Sequence, residues 1–225
     1  MTSLDSDGLI IGLLAAVAYA VAAGGCGEVA DDEPRPAWWG YYAAEVVSFE
    51  PGEGAGFNEE ELPEMVLGPP DGKGTGAGSM EVVSLGDGGE IVIGFGDRAI
   101  VDGDGDDFVV YENPFWEAGD PEKVWAELGE VSVSPDGQTW HAFECDYDVD
   151  DEPPYDGCAG WTPTLEYEPD DVVPVDADET GGDAFDLSDV GVNRARYVRI
   201  RDVWGLGGEP SRGFDLDAVG IIHGE

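Results

Sequence analysis

Val131-Ser132-Val133-Ser134-Pro135-Asp136-Gly137-Gln138-Thr139-Trp140 alternates apolar and hydroxyl residues, breaks at Pro-Asp-Gly, and resumes as Trp140-His141-Ala142-Phe143. Proline at the second turn position sets φ near its required value, and glycine at the last leaves the turn without a clash. Two strands joined by a hairpin turn are therefore predicted here. The same pattern repeats outward along the chain. Apolar runs of strand length occupy residues 44–49, 80–85, 90–95, 108–111, 129–134, 139–144, 196–201 and 218–223, separated by glycine, proline and aspartate. Val198 and Ile200 alternate with Tyr197, Arg199 and Arg201, which predicts one buried face and one exposed basic face. Residues 120–128 offer a short turn of helix at most, and no segment carries sustained helical periodicity. The expected fold class is all-β, an antiparallel β-sandwich formed as one domain over residues 43–225.

Composition limits the partners. The chain holds 51 acidic and 9 basic residues, a formal net charge of −42, and residues 124–193 contain no Lys or Arg among their many carboxylates. Binding to nucleic acid needs clustered cations on phosphate, so nucleic acid is excluded as an expected partner. An anionic membrane surface is disfavoured for the same reason. Apolar residues make up 42% of the chain, with 7 Trp, 8 Tyr and 8 Phe, enough to build a core despite the charge. The surplus carboxylates must then be solvated, screened by salt, or neutralised by bound cations.

Residues 8–27 carry no charge and end on Ala23-Gly24-Gly25-Cys26. An apolar stretch closing on small residues reads as a secretory signal, 1–25, to be excluded from the fold. With its cysteine the segment resembles the lipobox of bacterial lipoproteins, which implies acylation of Cys26 and a tether over residues 26–42. It departs from that pattern in having Asp5 and Asp7, and no Lys or Arg, ahead of the apolar run. Cleavage to a soluble form and an uncleaved membrane anchor are the alternatives. Assigning Cys26 to lipid leaves Cys145 and Cys158 as a pair, expected to be a disulfide in an exported, oxidising compartment.

Val131 to Trp140, followed by Ala195-Arg196-Tyr197-Val198-Arg199-Ile200, resembles the paired signatures of discoidin-like, galactose-binding-like jelly rolls. A further likeness is to bacterial cell-surface proteins of that architecture. It is carried by Val66-Leu67-Gly68-Pro69-Pro70, by Asp107-Phe108-Val109-Val110-Tyr111-Glu112-Asn113, and by Gly213-Phe214-Asp215-Leu216-Asp217-Ala218-Val219. The resemblance implies a sandwich that binds glycans or lipid head groups through loops at one end, often with a structural calcium.

Asp102-Gly103-Asp104-Gly105-Asp106-Asp107 is the expected metal loop, because glycine permits a tight backbone path and Ca²⁺ takes six to eight oxygens. Glu112, Asp215 and Asp217 are expected as further ligands, the last two on one face of a strand. A solvated acidic turn is the alternative reading. His141 and His223 are the only histidines, so no zinc-like cluster is assembled. No nucleophile elbow, phosphate loop or His-Glu-x-x-His motif is present, and no feature selects one carboxylate pair for glycoside hydrolysis. Trp116, Trp161 and Trp204 lie in glycine- or proline-rich connections, where a ring stacks on a sugar or completes a core. Arg199, in a cluster of five arginines near Trp204, is expected either to hold a ligand or to pair with carboxylates. The expected function is a non-enzymatic, calcium-supported surface lipoprotein that binds glycan or matrix components. A purely structural acidic surface protein and a carboxylate-dependent hydrolase are the alternatives; the sequence leaves oligomeric state open.

Expression of the full chain in a bacterium fed labelled palmitate tests the address. Label should appear on the protein in the membrane fraction and disappear in Cys26→Ser; label retained by that variant would place the anchor elsewhere.

Overall fold

The computed structural model describes residues 36–146, 154–204, 207–208 and 211–225; at 204, 207, 208 and 211 the backbone alone is described. Cys26 and residues 1–25, expected as a signal, lie outside the described residues. The strands, in chain order, are β1 (Glu45–Glu50), β2 (Val83–Ser84), β3 (Glu90–Gly94), β4 (Ile100–Val101), β5 (Phe108–Tyr111), β6 (Phe115–Trp116), β7 (Val124–Trp125) and β8 (Leu128–Ser134). They continue as β9 (His141–Ala142), β10 (Cys158–Ala159), β11 (Asp183–Phe185), β12 (Arg194–Ala195), β13 (Tyr197–Trp204), β14 (Gly207–Gly208), β15 (Ser211–Arg212), β16 (Asp215–Leu216) and β17 (Ala218–Ile221). Helix is confined to short 3₁₀ turns and one four-residue α-helix, Ala177–Thr180. None of these is long and apolar enough to cross a membrane.

The fold is all-β and its pairings are antiparallel. One sheet runs β1-β3-β13-β8-β10, with β9 added to β8, and a second runs β11-β5-β17. Alternation explains how they meet. Ile91 and Ile93 on β3, Val131 and Val133 on β8, and Val198 and Ile200 on β13 are wholly buried. They share one core with Phe108 and Val110 of β5, Phe185 of β11 and Val219 and Ile221 of β17. Burying each such side chain contributes roughly 1.5–3 kcal/mol. Phe108, Phe143 and Phe185 meet ring to ring, with centroids 4.9–5.9 Å apart, and close one end of this core.

Unlike the first sheet, the second is covered on both faces. Val109 and Tyr111 point away from the main core yet have no exposure, because Tyr42, Val175 and Ala218 pack over them. Trp38 and Tyr41 join that layer, and Tyr42 bridges to Gly220. Aromatic packing thus draws residues 37–42, expected as tether, onto the folded body. β5 reads as a continuous apolar run for this reason.

The predicted hairpin forms. Ser132 pairs with Ala142 and Val133 with His141. Between them Ser134 Oγ accepts from Gly137 N at 2.8 Å, while Asp136 Oδ1 accepts from Gln138 N and Thr139 N at 2.8 Å each. Residues 120–128 do not form helix; Val124–Trp125 instead pairs with Phe115–Trp116. Stacking of Phe115 on Trp125, 6.2 Å between centroids, favours that small hairpin over a helical turn.

Cys145 and Cys158 form a disulfide that fastens β10, and so the β8 edge of the large sheet, to the chain leaving β9. Their separation of 13 residues sets the size of the ring that the bond closes. Replacing both with serine should lower stability by about 3 kcal/mol through the freed loop entropy of the unfolded chain. Urea unfolding of the oxidised parent and the double variant measures it, and a difference below about 1 kcal/mol would contradict that mechanism.

Candidate functional site

Burying a carboxylate costs several kcal/mol unless a partner or a proton neutralises it. Several are buried here, and three converge. Glu112 follows β5 directly, Glu127 immediately precedes β8, and Asp215 opens β16. Their exposures are 1%, 5% and 3%, and one oxygen of each lies within 4.8 Å of the others. Local bonds hold them there. Thr164 Oγ1 donates to the Glu112 carbonyl at 2.8 Å, and Asp215 N donates to Glu112 Oε1 at 3.3 Å. Ser84 Oγ hydrogen-bonds Asp215 Oδ1, and Asn113 Nδ2 reaches Asp215 Oδ2 at 3.5 Å. Gly160 packs against the Glu127 carbonyl. At its φ of +97° an added Cβ would lie 2.1 Å from that oxygen, so only glycine allows this approach.

A fourth carboxylate belongs to the same neighbourhood. Asp183, at the head of β11, is 5% exposed, and its Oδ2 accepts from Gly160 N at 2.7 Å and Trp161 N at 3.1 Å. Its charge is one of those that act on Glu112. Burial pushes Asp183 up to about 6, against the lowering effect of the Thr162 side chain and of the amides of residues 160 to 162. Glu127 is pushed up to about 9, first by burial and then by the charges of Asp215, Asp202 and Asp87. Glu112 stands well above the ordinary carboxylate range, from burial first and then the neighbouring Asp215 and Glu127. Neither glutamate takes part in an ion pair among the described residues. Glu112 Oε2, Glu127 Oε1 and Asp183 Oδ1 are buried without a hydrogen-bond partner among the described residues.

The expected metal loop lies elsewhere. Asp107 and Glu112 flank β5, roughly 16 Å apart at strand spacing, so the Asp102 loop and the Glu112–Asp215 pair cannot serve one ion. Asp102, Asp104 and Asp106 are exposed, and only Asp107 is buried. One oxygen each from Asp102, Asp107 and Asp186 lies within 4.8 Å of the others. However, Asp107 has spent its oxygens on the protein. Oδ1 meets Gly103 N at 2.8 Å and His223 Nδ1 at 2.9 Å, and Oδ2 accepts from Leu187 N at 2.8 Å. Asp107 is a clip between its own loop, the turn at Leu187–Val190 and the C-terminal segment. Burial and the nearby Asp186 and Asp107 raise Asp106. Asp217 also meets a donor of the protein. Both of its oxygens accept from Asp71 N at 3.2 Å, and burial pushes it up to about 8.

The exposed face of the large sheet carries the other candidate. Tyr197 and Arg199 point outward from β13, as alternation requires, beside Glu90 and Val92 of β3. The Arg199 guanidinium lies 4.6 Å from the centre of the Trp140 ring. Its Nε is 3.8 Å from Glu90 Oε2, and its Nη2 reaches Ser132 Oγ at 3.4 Å. Together with Asp136 and Val47 these residues line a shallow groove of about 400 Å³.

Neither Trp116 nor Trp161, both singled out by sequence, lines that groove. Trp161 completes a small core: it meets Tyr155 edge-on at 6.4 Å, and its Nε1 donates to the Cys158 carbonyl at 3.1 Å. Trp116 lies in the β6–β7 hairpin opposite Val124. Trp204 pairs with Leu128 through its backbone, and its side chain lies outside the described residues. Trp140 escaped notice because a hairpin strand usually turns its aromatic inward. Its signal is its place two residues before Ala142, on the face shared with Ser132 of β8. Glu127 escaped for the reverse reason, a lone acid between buried Ala126 and Leu128 with no repeated spacing to mark it.

No protein-family model matches the chain, and no curated protein matches it. Among solved structures it is similar to one described as a glycoside hydrolase, with 14% sequence identity and a TM-score of 0.27. The match covers 61% of this chain and 22% of that one, so this chain spans only about a fifth of its length. At that TM-score the likeness carries no argument about fold or activity.

The two acidic loci separate on mutation. Asp107→Ala should cost about 2–4 kcal/mol by orphaning buried donors, whereas Asp102→Asn should stay within about 0.5 kcal/mol of the parent. Urea unfolding of both measures this, and equal costs would remove Asp107 from its role as a clip.

Proposed function

We propose that the domain is a non-enzymatic binding module for neutral glycans, exported and lipid-anchored at Cys26, with a jelly-roll arrangement of its two sheets. The groove bounded by Trp140, Tyr197, Arg199, Glu90 and Asp136 carries this reading. Sugar recognition combines an aromatic surface for the apolar face of a pyranose ring with charged or amide groups for its hydroxyls. The groove offers both, with Tyr197, Arg199 and Glu90 on strands and Trp140 and Asp136 on the hairpin turn, and its size suits one or two rings.

Charge narrows the ligand class. The Arg199 guanidinium is already shared by Glu90 and Trp140, and Asp136 adds a further carboxylate to the rim. A net charge of −42 repels polyanions at long range, so a neutral glycan is favoured over a uronate or sulfate polymer. The non-enzymatic part rests on access. The convergent carboxylates are almost fully enclosed, whereas a glycosidase must place two against the scissile bond. Export is supported by the disulfide, since such bonds persist in oxidising compartments.

Titration with cello-, xylo-, manno- and galacto-oligosaccharides, followed by tryptophan fluorescence and calorimetry, tests the groove. At least one neutral series should bind, and Trp140→Ala should weaken it by about tenfold or more without moving the melting temperature. Absence of binding to all four series, or binding indifferent to both Trp140→Ala and Arg199→Ala, would overturn the reading.

A further inference from the structure

We infer that Glu112, Glu127 and Asp215, with Asp183 beside them, form a buried site for one divalent cation of the calcium class. Convergence alone would not establish this in so acidic a chain. The second observation is the state of the individual oxygens. Glu112 Oε2, Glu127 Oε1 and Asp183 Oδ1 are buried on side chains 1–5% exposed, and none has a hydrogen-bond partner among the described residues. Buried polar atoms in native structures almost always have partners, and the exceptions cluster where an ion or ligand belongs. Glu112 receives a single amide, that of Asp215, on Oε1, whereas Asp183 receives the amides of residues 160 to 162 on Oδ2 and a bond from the Thr162 side chain.

The donor set selects the ion. All four groups are carboxylates, which are hard oxygen donors. Neither histidine belongs to the cluster, and His223 is bound to Asp107. Zinc and copper favour nitrogen or sulfur. Magnesium keeps several of its waters and uses one or two carboxylates, whereas calcium accepts a larger and less regular set of oxygens. Three or four acids drawn from separate strands match the latter.

The site has a mechanical role. Glu112 and Asp183 lie on the second sheet at β5 and β11, Glu127 leads into β8 of the first sheet, and Asp215 belongs to the β16–β2 pair. One ion would join all three and remove the repulsion among them. This inference does not rest on the glycan reading, since the groove lines the outer face of the large sheet and shares no residue with the cluster.

The test uses the full chain, stripped with chelator and then titrated with Ca²⁺ by calorimetry in about 1 M KCl, where a Debye length of about 3 Å suppresses diffuse binding to surface acids. One saturable site is expected. At a hundredfold excess over Kd the melting temperature should rise by roughly 5–10 °C. Glu127→Gln should weaken binding by at least about 100-fold while melting, in chelator, no lower than the stripped parent. Asp102→Asn should leave affinity unchanged. The inference is overturned if no saturable site appears, if Glu127→Gln retains parental affinity, or if Asp102→Asn abolishes binding.

Should Glu127→Gln not fold, Tb³⁺ locates the site in the parent, because Trp161 packs against the small core that holds Ala126 and Leu128 on either side of Glu127. Terbium emission excited through tryptophan should be displaced by Ca²⁺, and Trp161→Phe should lose most of it while keeping calcium affinity. Emission indifferent to Trp161→Phe would place the ion elsewhere and defeat the inference.

Discussion

Withdrawal of carboxylates from water at the seam between the sheets is the constraint on which the architecture turns. Asp183 fixes the entry to β11 through the amides of residues 160 and 161, and Asp215 ties β16 to the exit of β5 through Glu112 and to β2 through Ser84. Apolar burial alone would let the sheets slide, being non-directional. Directional bonds to buried oxygens set where the strands end. The same choice makes the seam costly, because several negative groups are crowded into a low-dielectric region, and their raised proton affinities express that cost.

Cations are distributed where they oppose this charge least expensively. Arg199 and Arg201 lie on the solvent face of the large sheet, against Glu90 and Glu130, while Arg212 meets Asp87 and Arg194 meets Glu225. All are at least partly exposed, so each pair contributes at most about 1 kcal/mol. Their placement still matters for register. On β13 the arginines alternate with Val198 and Ile200, so a slip of one residue would bury two guanidinium groups and expose two core side chains. Electrostatics and the hydrophobic pattern therefore specify one alignment.

Strand positions were legible because burial on one face imposes a period of two. Residues 108–111 coincide with β5, and 90–95, 129–134 and 196–201 largely with β3, β8 and β13. The disulfide was legible through cysteine parity once Cys26 was set aside. The site was legible only in part. Glu112 and Asp215 were singled out, but they were grouped with the Asp102 loop because Asp-Gly alternation is visible in sequence and long-range convergence is not. Glu127 and Asp183 come from opposite sheets, brought together by pairings between residues far apart in the chain. No local spacing records such a meeting. The groove was missed for a similar reason: Trp140 and Arg199 are far apart in sequence and meet across neighbouring elements of one sheet.

Asp107 and Glu127 show how one chemistry reaches two ends. Both are acids held within the protein beside strands, and both have acidic neighbours. Asp107 meets two backbone amides and the imidazole of His223, so its charge is accommodated by the protein and its oxygens have no further need. Glu127 has an oxygen that meets no donor, and burial together with neighbouring carboxylates raises its proton affinity. A chain with 51 acids cannot be searched for cation sites by counting carboxylates, because exposed clusters are inevitable at that density. Counting donors for each buried oxygen separates the cases. By that measure Asp107 is satisfied within the protein, whereas the glutamate before β8 keeps an oxygen that meets no donor among the described residues.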